Sequence, residues 1–484
     1  MTIQLTGNLV DGKIVDRGTD DPIEVRDPAD LRIVVGQVPA MGPAELELVF
    51  AAAERGAVAW RATGHIARGE VLRKAALRLR ADSERLARLI VHEMGKTLAE
   101  ARGEVGKAAE FFEYYSAVAR LPFGQLLPDA RPGTHVSVRR EPLGVVLLIT
   151  PWNDPLLTPA RKLAPALVAG NAVVIKPATN SPLIVLELAR ILNEAGLPAG
   201  ALGTITGRGC DIGDAMVQQR SLRAVSFTGS TAVGLGLQRL LAGTQIRVQT
   251  EMGGKNAAAV LADADLALAA QNIVAGAFAQ AGQRCTATSR LIVVKEVADE
   301  LMDRVLRDTA ALSVGSGMQD GVVMGPVVSS EQRAEIFQHI ETAANEHAEV
   351  VVGGAFAPSG TSEHGAFVSP TVIRVTRGQR IWREEVFGPV LAVLEVANEN
   401  EAIAAVNDSS YGLSSAVFTN NLGAAERFVD RVDTGQVSVN QPTAGWDVHQ
   451  PFGGFLDSGS PFKEQGLDAL QFYTRTKTAA IHGL

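Results

Sequence analysis

Cysteine is almost missing from this chain: Cys210 and Cys285 are the only two among 484 residues. No disulfide framework can be built from two, and a reducing cytoplasm is the expected compartment. Positive charge is not in excess. Lys and Arg number 45 against 53 Asp and Glu, a formal net charge of −8, so nothing supplies the basic patch of a nucleic-acid binder. No uninterrupted apolar run approaches the ~20 residues that span a bilayer. The start, "MTIQLTGNLVDGKIVD", lacks a basic segment followed by an apolar one and does not read as a secretory signal. Neither a nucleic acid nor a membrane is expected as a partner, and no metal site is expected. Aromatic residues are few, at 5%. Ala and Gly are plentiful instead, which suits tightly packed helices and backbone that approaches ligands closely.

At 46% hydrophobic and 20% charged residues, what remains is an ordinary globular composition. The length suits two to four domains at ~100–200 residues each. The part up to about Ala119 reads as largely helical, because "AELELVFAAAERGAVAWRA" and the stretch from Val71 carry apolar residues at helical spacing. At Val145 the pattern changes. "GVVLLIT", "NAVVIKP", "GALGTITG" and "RAVSFTGS" are short apolar runs closed by Gly, Pro or Thr, with helical stretches between them. Strands alternating with helices imply βαβ units and a parallel sheet, with ligands at the carboxyl ends of its strands. From Gly253 a second alternating series runs through "NAAAVL", "RLIVVK", "AEVVVGG", "PVLAVLEV", "SSAVFT" and "GQVSVN". "THVSVRREP" and "QFYTRTKTAAI" read as exposed strands, whose edges are expected to pair between subunits.

Several residues can carry chemistry, and each also has a bland reading. Cys285, in "FAQAGQRCTATSR", is either core filling, as a free cysteine usually is, or a nucleophile at the end of an element, with Arg284 as a nearby cation to lower its pKa. Glu251, in "VQTEMGGKN", is either a capping or ion-paired glutamate or a general base with a raised pKa. The "GGKN" that follows lacks the earlier Gly and the Ser/Thr of a P-loop, which excludes nucleoside triphosphate hydrolysis. Asn153, in "TPWNDP", is either an Asx-turn residue or an oxyanion donor. "ITGRGCDIGDA", with Gly209 and Gly213, and "FTGSTAVG", with Gly229 and Ser230, could each set backbone N–H groups against a pyrophosphate.

Taken together and in order, "TPWNDP", "VVIKPA", "SFTGST", "EMGGKN", "GQRC", "EEVFGP" and "PFGG" resemble the aldehyde dehydrogenase superfamily over nearly the whole chain. The resemblance implies an α/β fold. A Rossmann-like cofactor domain would span 1–120 and 143–252, a second α/β catalytic domain 253–445, and a small β oligomerisation arm 121–142 and 466–484. It implies NAD(P)-dependent oxidation of an aldehyde by a homodimer or homotetramer. Cys285 would attack the aldehyde, and Asn153 with the Cys285 N–H would hold the oxyanion. Hydride would pass to the nicotinamide, and Glu251 would activate the water that hydrolyses the thioester. Glu464 matches a glutamate that relays protons. Trp152, Lys176, Ala178, Phe227, Gly229, Ser230, Glu385 and Phe387 match cofactor contacts, with Gly209 and Gly213 added from the first glycine-rich turn.

Some positions depart from the common pattern. Thr179 stands where NAD-specific relatives often carry a glutamate; without that like charge a 2′-phosphate is not repelled, so NADP is expected to be accepted beside NAD. Leu456 replaces a common lysine, with no functional reading. Asp154 occupies a position usual for a tunnel aromatic, and Leu157 lies beside it. Arg161 matches the arginine that binds the substrate carboxylate in succinic semialdehyde dehydrogenases; its bland reading is an ion pair with Asp154 or a neighbour. "PTAGWDVHQPFGG" and "KEQG" resemble 2-oxoglutarate semialdehyde dehydrogenases. Trp446 and His449 are expected near the tunnel mouth, and Trp446 also leaves room for an aromatic aldehyde. A non-catalytic relative would not need Cys285, Glu251 and Asn153 together, and a coenzyme-A-acylating one typically lacks Glu251.

Overall fold

The computed structural model describes residues 5–354 and 360–483. The first four residues of the start read above, and Leu484 at the end of the expected arm, lie outside them. Two parallel-rich sheets carry the architecture. The first has five strands in the order Arg247–Glu251, Leu222–Thr228, Val145–Ile149, Ala172–Lys176 and Leu202–Thr204, all parallel. "AVVIK" is buried along its whole length and "VVLLI" along all but its last residue. Such near-continuous apolar strands belong to a sheet covered on both faces. Leu163, Leu167 and Ile184 pack in the cluster on one face; Leu46, Val49 and Phe50 pack in the cluster on the other.

The second sheet has seven strands in the order Glu349–Val352, Thr371–Arg374, Val390–Val396, Arg290–Val294, Ala257–Val260, Ser414–Phe418 and Gln436–Val439. Only Glu349–Val352 runs antiparallel to its neighbour. Thr371–Arg374 was not read from the sequence, because four residues carry too little pattern to stand out. The five-stranded sheet hands over to this one through Met252–Asn256, so Glu251 ends one sheet and the turn after it begins the other.

Three expectations change. Residues before Pro43 are not helical: Asp20–Asp27 and Asp30–Ala40 pair as an antiparallel hairpin, with Ile23, Val25 and Val38 buried in alternation. A period of two placed inside a mostly helical region was outweighed by the longer helical runs after it. Second, "QFY" closes a short helix, Ala469–Tyr473, whose Leu470 and Phe472 face the core; the strand begins at Thr474. Third, the two exposed strands pair within the chain. Thr474–His482 runs antiparallel along Thr134–Pro142, and Gly124–Leu127 covers the other edge of that strand. The outer edges of this three-stranded sheet stay open, and they are the edges that the expected pairing between subunits would use. Among the described residues, no helix is long and apolar enough to cross a membrane and no group of side chains could hold a metal ion.

Candidate active site

The carboxyl ends of the five parallel strands all face one side. Out of them run "TPWN" after Ile149, "PAT" after Lys176, "GST" after Thr228 and "MGG" after Glu251. Two clefts open there. One is lined by Trp152, Asn153, Gly229, Ser230, Glu251, Glu385 and Phe387. The other is lined by Phe111, Leu157, Arg284 and Trp446. Cys285, Asp154, Arg161 and Phe452 belong to both. Cys285 therefore stands at the junction.

Local geometry puts it there. The helix Leu266–Phe278 ends, and Gln280 and Ala281 adopt φ of +53° and +54°. Left-handed backbone at two non-glycine residues turns the chain sharply and is held only by surrounding structure. Asn256 Nδ2 donates to the carbonyls of Cys285 and Ala287 at 2.7 and 2.9 Å and fixes the cysteine's backbone. A Cβ on Gly254 would lie 2.9 Å from the Cys285 carbonyl oxygen. Burial pushes the Cys285 thiol up to about 12, while the Arg161 charge opposes that rise. The cation acting on the thiol is thus Arg161 rather than the adjacent Arg284.

Asn153 closes no Asx turn. Its Nδ2 donates to the Gln283 carbonyl at 2.9 Å, and the residue is 5% exposed. An amide nitrogen carries two hydrogens, so one is left for the cleft. Glu251 is 2% exposed and makes neither a cap nor an ion pair: both carboxylate oxygens lack a hydrogen-bond partner among the described residues. Desolvation first, and then the nearby Glu464, push its carboxyl well above the ordinary range. Gly453 closes over it, since a Cβ there would meet Glu251 Oε1 at 2.4 Å. Glu464 lines neither cleft. It accepts from Lys162 and lies 3.5 Å from Arg161, and it reaches Glu251 through the electrostatic field.

Around the first cleft, Gly229 and Ser230 lead into the helix Thr231–Leu241, and no side chain caps that helix. The Phe227 ring lies beneath: a Cβ on Gly229 would sit 2.7 Å from it. Trp152 and Phe387 meet edge to face at 5.3 Å, and Phe387 has φ +50°. Glu385 Oε1 accepts from the Gly254 N–H at 2.9 Å, and burial raises its carboxyl to about 7. Lys176 lies apart from both clefts. It is buried, its Nζ donates among the described residues only to the Pro177 carbonyl at 3.1 Å, and burial lowers it to about 8. Ala178 and Thr179 are half-buried beside it. Thr179 Oγ1 reaches the Gly207 carbonyl at 3.5 Å. Gly209 and Gly213 sit in the helix Gly209–Val217 with open space where a Cβ would go, so packing does not require glycine at either.

Around the second cleft, Trp446 has a buried indole N–H without a hydrogen-bond partner among the described residues. His449 is exposed beside Asp447 and lines neither cleft, which corrects its expected place at the mouth. Arg161 does not pair with Asp154. It lies over the Phe452 ring at 4.7 Å and pairs with Glu464, with its Nε unpartnered. Asp154 instead accepts from Lys96 and from Gln280 Nε2, each at 3.1 Å. Lys96 bonds in turn to Glu104, whose other oxygen accepts the Leu156 and Leu157 N–H groups at 2.8 and 3.0 Å. Lys96, Glu104, Gln280 and Phe452 were not singled out from the sequence. Lys96 and Glu104 sit among the charges of helical segments, where nothing marks the one that turns inward. Leu456, with φ +50° and 52% exposed, lies apart.

Known proteins match this chain throughout. The model of the aldehyde dehydrogenase family matches residues 14–479. The 2,5-dioxopentanoate dehydrogenase of Saccharolobus solfataricus is 43% identical over 423 residues, 87% of each chain. The alpha-ketoglutaric semialdehyde dehydrogenase of Bacillus subtilis is 37% identical over 98% of this chain and 97% of its own. Among solved structures, a betaine aldehyde dehydrogenase of Staphylococcus aureus in complex with NAD+ superposes with a TM-score of 0.95 at 32% identity, over 98% of this chain and 94% of its own. The chain belongs to the aldehyde dehydrogenase family and is an NAD(P)-dependent oxidoreductase that converts an aldehyde to a carboxylic acid.

Proposed function

We propose that the substrate is a carboxylated semialdehyde, 2-oxoglutarate semialdehyde foremost, and that NADP is accepted beside NAD. The observation that carries the substrate class is Arg161: a guanidinium with a free Nε at the junction of both clefts, beside Cys285. A planar guanidinium fork is well suited to a carboxylate. The relatives named for 2,5-dioxopentanoate and for alpha-ketoglutaric semialdehyde bear two names of this one compound, and they support the same reading.

The residues fit a dinucleotide. Lys176 is a buried ammonium with donors to spare, Ser230 leaves a helix start uncapped, and Glu385 sets a buried carboxylate against Gly253. Lys176, Ala178, Thr179, Gly209 and Gly213 would hold the adenosine end. Phe227, Gly229 and Ser230 would hold the pyrophosphate, and Trp152, Glu385 and Phe387 the nicotinamide riboside. Thr179 brings no negative charge to a 2′-phosphate. When bound, the cofactor supplies the hydride acceptor.

The chain's own groups do the rest. Cys285 gives up its proton to solvent, and its sulfur bonds to the aldehyde carbon. The free Asn153 N–H and the Cys285 N–H hold the oxyanion that forms. Loss of hydride from that carbon leaves a thioester on Cys285. Glu251, freed of its proton through Glu464, takes one from water. The water oxygen attacks the thioester carbon, the C–S bond breaks, and the carboxylic acid departs. Leu157 and Trp446 line the path to the sulfur. The cofactor domain spans 1–120 and 143–252, the catalytic domain 253–445, and the arm 121–142 and 466–484, in a homodimer or homotetramer of the cytoplasm.

Initial rates with 2-oxoglutarate semialdehyde, succinic semialdehyde and benzaldehyde, for wild type and Arg161→Ala, test this. The semialdehydes should lead, and Arg161→Ala should lower their kcat/KM by at least ~tenfold, about 1.4 kcal/mol of transition-state binding. A lead for benzaldehyde, with Arg161→Ala neutral, would overturn it.

A further inference from the structure

The second cleft has three cations on its wall: Arg161, Lys107 and Arg284. Arg161 has Glu464, and Lys107 has Glu110 and Asp447. Arg284 forms no ion pair among the described residues, and its one hydrogen bond runs from Nε to Gln280 Oε1 at 2.8 Å. Its two terminal nitrogens, the side of the fork that grips a carboxylate, have no hydrogen bond among the described residues. The carboxylates on the same wall are committed elsewhere. Glu100 accepts from the Gln280 and Thr97 N–H groups at 2.7 and 2.9 Å. Glu104 is held by Lys96 and two backbone N–H groups, and Asp154 by Lys96 and Gln280.

These bonds form one chain. Glu104 holds Lys96, Lys96 holds Asp154, Asp154 takes one end of the Gln280 amide, and the other end of that amide takes Arg284 Nε. Gln280 is the residue held at φ +53°, and Lys96 is wholly buried. A side chain that is flexible by nature is thus anchored through its Nε alone. Anchoring there leaves the terminal pair pre-organised for a planar anion, at less entropic cost on binding. The chain also gives Asp154 a use: it acts as a strut where an aromatic side chain could not.

We infer that Arg284 is a specificity-determining residue that binds the carboxylate end of the substrate, and that Asp154 and Gln280 are positioning residues for it. This rests on the semialdehyde reading above. Arg161 stands at the junction and already pairs with Glu464, whereas Arg284 lies one residue from the nucleophile and has no ion pair among the described residues, though its charge acts on Asp154. The two together would suit an acid bearing a 2-oxo group, with oxygen atoms on adjacent carbons to be matched.

The test compares kcat and KM for 2-oxoglutarate semialdehyde and for pentanal, which has the same number of carbons and no charge. Wild type, Arg284→Gln, Arg284→Lys and Asp154→Asn are assayed as full-length enzyme. Arg284→Gln should raise KM for the semialdehyde at least ~tenfold while kcat/KM for pentanal stays within ~twofold. Arg284→Lys should recover part of the loss, because the charge stays and the fork does not. Asp154→Asn should shift the semialdehyde KM in the same direction by a smaller factor, with a smaller change in KM for pentanal. Equal losses on both aldehydes would overturn the inference and make Arg284 structural. An unchanged semialdehyde KM in Arg284→Gln, with wild type still preferring the semialdehyde, would overturn it and leave the substrate reading standing. A wild-type preference for pentanal would defeat both.

Discussion

The two clefts on either side of Cys285 are built on opposite plans. In the first, the polar groups wait without partners. Among the described residues, both oxygens of Glu251 lack a hydrogen-bond partner and no side chain caps the helix after Ser230. In the second, a run of polar groups is already joined, from Glu104 through Lys96, Asp154 and Gln280 to Arg284. Unpartnered buried groups cost folding free energy and persist where a ligand or a reaction completes them. A pre-bonded chain instead stiffens a wall and leaves one fork free at its end. The first plan suits chemistry and a cofactor common to the family; the second suits selection among substrates.

The largest predicted difference between the two plans lies in Glu251. Its carboxyl is raised by burial and by Glu464, so its proton-accepting form appears only as pH rises through that elevated pKa. The kcat for aldehyde oxidation should therefore rise with pH, by about tenfold per unit below the pKa. Glu251→Gln should remove that limb while the acylation burst persists. A pH-independent kcat in wild type, measured across the neutral range with hydrolysis rate-limiting, would break the contrast. A smaller effect is expected outside both clefts, beside Lys176. Thr179→Glu should lower kcat/KM for NADP by roughly tenfold, on the order of one like-charge contact near the surface, and leave kcat with NAD nearly unchanged. Equal effects on both cofactors would remove Thr179 from the 2′-phosphate.

The contrast also explains how much the sequence revealed. The first cleft is made of short turns at strand ends, so "TPWN", "SFTGST" and "EMGGKN" each hold their contributors within a few residues, and the resemblance could be read from them. Asn153, Glu251, Cys285, Glu385 and Phe387 fall at one cleft for that reason. The second cleft draws on Phe111, Asp154, Gln280 and Trp446, from four separate segments of the chain. No local pattern marks Lys96 as the lysine that turns inward or Gln280 as the residue in left-handed backbone. Both follow from tertiary packing. The exposed strand Thr134–Pro142 was legible, because β-branched alternation is local; its partner was not, because pairing is a property of the folded chain.

The most direct test is to trap the acyl enzyme. Glu251→Gln mixed with 2-oxoglutarate semialdehyde and NADP, then quenched and digested, should carry the acyl group on the peptide containing Cys285, with about one reduced cofactor formed per active site before turnover stalls. The Cys210 peptide in the same digest should be unmodified. Acylation at Cys210, or a burst of reduced cofactor with no adduct on Cys285, would contradict the account.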